Sequence, residues 1–206
     1  MPRARLTTFA VYGACLVAAG GLYALSCAPG ALWQDSGLIQ HRLWHGDIRG
    51  CLGLALSHPL FYIVARAGTW LPVGEFSHRV NLVSAWAGAI TVANVGLLIH
   101  LWAGRVFPAV IAAVALALAH TFWWHASVAE TYTLWAALFS GELLALLQYD
   151  KTRRIRYLYL LGLLNGMALA VHMLACPACL CYVTLVIGLW VKRRIRPIDV
   201  LVVAML

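Results

Sequence analysis

Along most of the chain, apolar positions run on without the alternation of a half-buried strand, and short polar breaks divide them into long blocks. Blocks at 6–27, 80–102, 106–124 and 127–148 are each about twenty residues long. At about 1.5 Å of rise per residue that length crosses a hydrocarbon core of about 30 Å, so each predicts a transmembrane helix. Two shorter blocks, 157–172 and 177–191, predict short spans, and a last one, 198–206, stops part-way. The first block has signal-peptide features, with MPRAR ahead of it and small residues near 24–28, but its length favours a retained span. The segment 58–71 is amphipathic and carries Arg66, which suits a helix lying in the interface. The pattern therefore predicts an all-α polytopic membrane protein with one domain over 1–206. Its mid-span ending reads as the N-terminal part of something longer.

One stretch breaks this pattern. Residues 33–59, WQDSGLIQHRLWHGDIRGCLGLALSHP, are too polar for the bilayer core yet lie between apolar blocks. They predict an outward-facing first loop with interfacial helices, held by the surrounding scaffold.

Composition agrees with the membrane reading: 63% of the 206 residues are hydrophobic and 11% charged, against roughly half and a quarter in soluble domains. The net charge of +8 becomes a topology signal once the spans alternate. Eleven basic residues, Arg3, Arg5, Arg105, Lys151, Arg153, Arg154, Arg156, Lys192, Arg193, Arg194 and Arg196, then fall on one side. Only Arg42, Arg49, Arg66 and Arg79 fall opposite. By the positive-inside rule the 33–59 loop faces outward. The expected location is a bacterial inner (plasma) membrane with that loop in the periplasm or exterior. Nucleic acid drops out as a partner. Four of the six cysteines, Cys15, Cys176, Cys179 and Cys181, sit in apolar blocks, where a thiol packs as a small hydrophobe. The Cys176-x-x-Cys179 pair lacks the βαβ context of a redox motif. A disulfide between Cys27 and Cys51, which flank or occupy the polar loop, stays open.

Ionisable groups in or beside spans are costly unless they face a cavity or a partner. Here most gather at outer ends: Asp35 after the first span; His58, Glu75, His78 and Arg79, with the polar Asn81, before the second; His120, His125 and Glu130 between the third and fourth; His172 after the fifth. That clustering predicts one outward-facing polar cavity. Plainer readings stand beside it. Asp35 could cap a helix, Glu130 could pair with Arg79 or cap the fourth span, and His58 and His172 could be hydrogen-bonded core histidines. His41, His45 and Asp47 have a spacing that would suit a metal, and a divalent cation stays possible, without a defined third and fourth ligand. A haem site needs axial histidines at matched depth, and with His100 at the inner end and His120 and His172 at the outer at most one pair survives. Trp33, Trp44, Trp70, Trp123 and Trp124 suit an interfacial aromatic belt and could also stack on a sugar ring. Glu142, deep in the fourth span, has no explanation at this level.

The order of motifs adds a resemblance. WQDSG, SHPLFYIVARAGTWLPVG, FSHRVNLVSAWAGAITVA, HTFWWHASVAETYTLWAALF and YLLGLLNGMALAVHM together resemble the DUF2723 family of membrane proteins, which includes TMEM260-type protein O-mannosyltransferases. The likeness runs from 32 to about 177, with R-V-N-L at 79–82 and A-E-T-Y at 129–132 specific in combination. Leu60, where the family often has a second proline, and Val171, where asparagine is common, depart from it. The resemblance implies a GT-C-like glycosyltransferase taking a sugar from a polyprenyl-phosphate donor to a protein or glycan acceptor. By position Asp35 would be catalytic, with His58, Arg79, Asn81, Glu130, Tyr132 and His172 around the substrate. A non-catalytic protein that binds or transports a lipid-linked glycan is the competing expectation. An intramembrane protease is disfavoured, since Ser36 has no G-x-S-x-G context and no assignable base.

Overall fold

The computed structural model describes residues 2–206, with side chains from Leu6 onward, so Arg3 and Arg5 of the charge count lie outside the described side chains. Among the described residues all regular structure is helical, as expected. Helices α1 (Pro2–Ser26), α4 (Phe76–Ala103) and α9 (Cys176–Val191) each contain or complete a stretch long and apolar enough to cross a membrane. A fourth span arises if α5 (Val106–Ala117) and α6 (His120–Ser127), which meet at 64°, act as one. Helix α7 (Tyr132–Thr152) has the length but carries Glu142, Asp150 and Lys151, α8 (Arg156–Val171) is short, and α10 (Pro197–Met205) closes the chain. This is a helical membrane protein.

Helix α4 is the axis. Lipid tails are as apolar as leucine, so helices in a bilayer associate through close packing of small residues and interhelical hydrogen bonds. Its buried face is made of Ala85, Gly88, Ala89, Thr91, Ala93 and Asn94. A Cβ added at Gly88 would lie 2.9 Å from Ala126 and 3.2 Å from the Tyr23 ring, so glycine lets α1, α4 and α6 close up. Across the α4–α7 seam, Thr91 donates to the Thr133 carbonyl (3.3 Å), and Asn94 to the Ala137 carbonyl and Ser140 hydroxyl (both 3.1 Å).

The apolar pattern places these helices within a few residues but misses two features. The third block is not continuous: it breaks at Leu118 and Ala119. Tyr23 donates to the freed Ala117 carbonyl (3.1 Å), Trp123 Nε1 donates to Ser26 (2.8 Å), and the Ala28 amide donates to the Ser127 carbonyl (2.8 Å). These bonds tie α6 to the end of α1, where hydropathy carries no signal. The fourth helix also starts later than 127, because Val128 is extended and the following backbone is bonded to α4 through Ser84.

The 33–59 exception folds into α2 (Gln34–His45), ended by Gly46 in the left-handed conformation (φ 72°), then a loop and a 3-10 turn at Leu54–Leu56. Helix α3 (Pro59–Gly68) follows, with Phe61 and Ala65 buried and Ile63 and Val64 exposed. All six cysteines are free; Cys27 is buried and Cys51 exposed.

Candidate functional site

Helix α2 is held by a relay of amides. Gln40 accepts from the Leu32 amide (3.0 Å) and donates to Asn81 Oδ1 (2.8 Å), while Asn81 donates to the Ala28 carbonyl (2.9 Å) and the Gly30 carbonyl (3.3 Å). A fully buried asparagine on α4 thereby fixes both the approach to α2 and its long axis. The cap of α2 is Trp33, and Asp35 lies in its first turn. There the helix dipole favours negative charge. The neighbouring Ser36 donates to Glu130 Oε1 (3.2 Å), joining α2 to the break between α6 and α7.

The opposite wall is built on histidines. His58 adopts a left-handed conformation (φ 56°) just before Pro59, a strained state for a residue with a Cβ. Its Nδ1 lies 2.6 Å from the Val171 carbonyl, which can only accept, so Nδ1 carries a proton. The ring stacks on His172, with centroids 5.1 Å apart and planes 22° apart. His172, in the turn between α8 and α9, accepts from the Leu174 amide at Nδ1 (3.1 Å), so its neutral form bears the proton on Nε2. Tyr132 lies 5.2 Å from His172, and His125 lies 4.8 Å from Tyr132, completing a file of four rings.

These walls enclose a cavity of about 460 Å³ lined by Asp35, Arg42, His58, Glu130, Tyr132 and His172, among others. Burial, reinforced by the nearby charge of Asp35, pushes the Glu130 carboxyl above its ordinary range, against the opposing effect of the Ser36 hydrogen bond. Burial and then the neighbouring His58 push His172 below the ordinary histidine range, favouring a neutral ring. The site thus holds two carboxylic groups of different environment on one side and two imidazoles, each anchored through Nδ1, on the other.

Five of the seven residues singled out by sequence, Asp35, His58, Glu130, Tyr132 and His172, line this cavity. Two do not. Asn81 acts behind α2, and Arg79 donates to the carbonyls of Thr69 (2.9 Å), Val73 (3.1 Å) and Gly74 (3.3 Å), tying the 69–74 loop to α4. The Glu130–Arg79 pair therefore does not form; Glu130 is bonded through Ser36 and Ser84. The His41 and His45 rings meet at 4.4 Å, but Asp47 is occupied by the amides of Arg49 and Gly50. Among the described residues no group of three or more His, Cys, Asp or Glu is arranged to hold a metal ion. Sequence reasoning misses the roles of Arg42, which enters only as a basic residue, and Ser36, weighed only as a protease nucleophile. For Arg42 a signal existed: Asp35, Leu38, Ile39 and Arg42 recur at i, i+3, i+4 and i+7, one face of a helix, and all four line the cavity.

Fold and site together define a helical membrane protein with a carboxylate-bearing polar cavity at one end of its bundle. The chain belongs to the family of the protein O-mannosyl-transferase TMEM260 N-terminal domain, whose sequence profile matches residues 55–195. No curated protein and no solved structure gives a significant match. The matched segment contains His58, Arg79, Asn81, Glu130, Tyr132 and His172; Asp35 lies ahead of it.

Proposed function

We propose that this protein is a membrane glycosyltransferase of GT-C type, moving a mannose-like sugar from a polyprenyl-phosphate donor to a hydroxyl of a protein or other acceptor. The observation carrying this reading is that Asp35 and Glu130, from separate elements, meet in one cavity in a member of an O-mannosyl-transferase family. In the proposed reaction the acceptor oxygen attacks the anomeric carbon and its proton passes to the Asp35 carboxylate. The bond from that carbon to the phosphate oxygen breaks, and the electron pair leaves with the phosphate. A positioned base of this kind typically contributes about 10²- to 10⁴-fold in rate. Glu130 is suited to hydrogen-bond sugar hydroxyls as charge builds on an oxocarbenium-like ring. His58, His172 and Tyr132 line the wall nearest the donor, and Asn81 and Arg79 hold the frame.

The charge asymmetry supports an outward cavity, reached from the periplasm or exterior of a bacterial plasma membrane. The test uses the purified protein in nanodiscs with undecaprenyl-phosphate-mannose and a Ser/Thr peptide. Transfer should occur, and Asp35→Asn should slow it by about 10²-fold or more while donor binding persists. Donor binding without turnover in the wild type would favour a carrier of lipid-linked glycans. A loss of less than about twofold in Asp35→Asn would remove the base role from this residue.

A further inference from the structure

Arg42 enters the sequence reading only as one of four basic residues on the outer side. Its structural setting is unusual. Nη2 donates to the carbonyls of Ile48 (2.9 Å) and Ser57 (3.3 Å), and Nε donates to the Asp47 carbonyl (3.3 Å). The loop is wrapped around this guanidinium: Gly50 has φ 59°, and a Cβ there would lie 3.0 Å from Arg42 Cζ and Nε. The Ser57 hydroxyl bonds back to the carbonyls of Arg49 and Gly53, closing the wrap.

The clamp consists of neutral carbonyls. Asp35, Asp47 and Glu130 line the same cavity, yet among the described residues the ion pairs are Arg153–Asp150 and Arg196–Asp199, and Arg42 is in neither. A half-buried, permanently charged guanidinium is thus oriented on the cavity wall with no carboxylate oxygen within 4.0 Å among the described residues, and its Nη1 donates to no protein acceptor among them. His58, next in sequence to the clamped Ser57, lines the same cavity. Guanidinium donors in a fixed fork suit phosphate oxygens.

We propose that Arg42 is the phosphate-binding residue of this cavity, holding the phosphate of a polyprenyl-linked donor between α2 and the His58–His172 wall. The assignment rests on the glycosyltransferase reading for the identity of the donor. It gives the cavity two ends. The acceptor loses its proton at Asp35, and the departing phosphate gains charge at Arg42, going from a singly charged diester to a monoester as the C–O bond breaks. The product lipid phosphate should therefore bind more tightly than the sugar-bearing donor.

The test needs no sugar transfer, so it stands or falls separately from the activity. Binding of undecaprenyl phosphate and of undecaprenol to the nanodisc-embedded protein is compared for wild type, Arg42→Lys and Arg42→Gln. Wild type should prefer the phosphate by about tenfold or more, Arg42→Gln should remove that preference while leaving undecaprenol within about twofold, and Arg42→Lys should keep part of it. Equal weakening of both ligands in Arg42→Gln together with no retained preference in Arg42→Lys would show a loop clamp only and overturn the proposal. An unchanged phosphate preference in Arg42→Gln would also overturn it. Inorganic phosphate should compete poorly; competition at the affinity of the lipid phosphate would overturn the lipid-linked assignment.

Discussion

Glu130 and Glu142 are the same residue type, twelve positions apart in an apolar part of the chain, and they do different things. Glu142 on α7 is fully buried, and both its oxygens are taken: Asn165 of α8 donates to one (3.2 Å) and Tyr182 of α9 to the other (2.8 Å). It locks three helices together. A second cavity, of about 350 Å³ and almost wholly apolar, touches Asn165 and Tyr182, which are already committed to that lock. Glu130 has one side-chain partner, Ser36, and faces a polar cavity shared with Asp35 and two histidines. An ionisable group in an apolar block attracts functional interest in either case. What separates them is whether the surrounding donors use up the carboxylate or leave it facing an open cavity.

The sharpest way to break this contrast is to compare Asp35→Asn with Glu142→Gln. The first should lower sugar transfer by about 10²- to 10⁴-fold with little change in thermal unfolding, and the second should leave transfer within about threefold. A comparable collapse of activity in Glu142→Gln, in protein that is still folded, would end the distinction.

Stability should show the reverse order. Glu142→Ala strands the buried Asn165 donor and the half-buried Tyr182 donor and should cost about 1–3 kcal/mol per unsatisfied group, seen as a lowered unfolding midpoint in detergent. Tyr182→Phe, which removes one donor, should cost less, about 1 kcal/mol.

A pH series sharpens the Glu130 side. Its carboxyl is raised by burial first and by Asp35 after that, so the folded state holds the proton more tightly than the unfolded chain. Any stability from the protonated form is present below the unfolded value, about 4.3, and is lost as pH rises through the higher folded value. Glu130→Gln should therefore gain stability relative to wild type across that window. A difference between the two proteins that stays constant with pH would contradict the environment assigned to Glu130.

The smallest expected effect concerns strain. His58→Gly relaxes the left-handed backbone at φ 56° but gives up the hydrogen bond to Val171 and the stacking on His172. Relief of about 1–2 kcal/mol should offset about 1 kcal/mol of lost bonding, leaving the unfolding midpoint nearly unchanged while donor binding weakens. A large drop in the midpoint would show that His58 serves packing above all.

Much of the scaffold is legible in the hydropathy alone, because a helix that must satisfy its own backbone in lipid needs a long apolar block and little else. The boundaries of α1, α4, α8 and α9 follow from that requirement to within a few residues. The 64° break between α5 and α6 does not, since the groups that hold it, Tyr23, Ser26 and Trp123, are unremarkable in a one-dimensional reading. Nor does the role of Arg79, whose motif context suggests a ligand contact but whose guanidinium caps a loop.

The sequence by itself determined the class: an all-helical membrane protein with a polar first loop and a family-specific order of motifs. It could also mark which side chains were out of place in an apolar setting, because transfer cost depends on residue type and depth. Only the tertiary structure decided which of them meet. Asp35 and Glu130 are 95 residues apart and His58 and His172 are 114 apart, and their meeting depends on how α2, α4 and the α8–α9 turn pack. The same packing committed Arg79 and Glu142 to protein partners and left Arg42 facing the cavity. Such choices are made by the geometry of nearby donors and acceptors, which hydropathy does not encode.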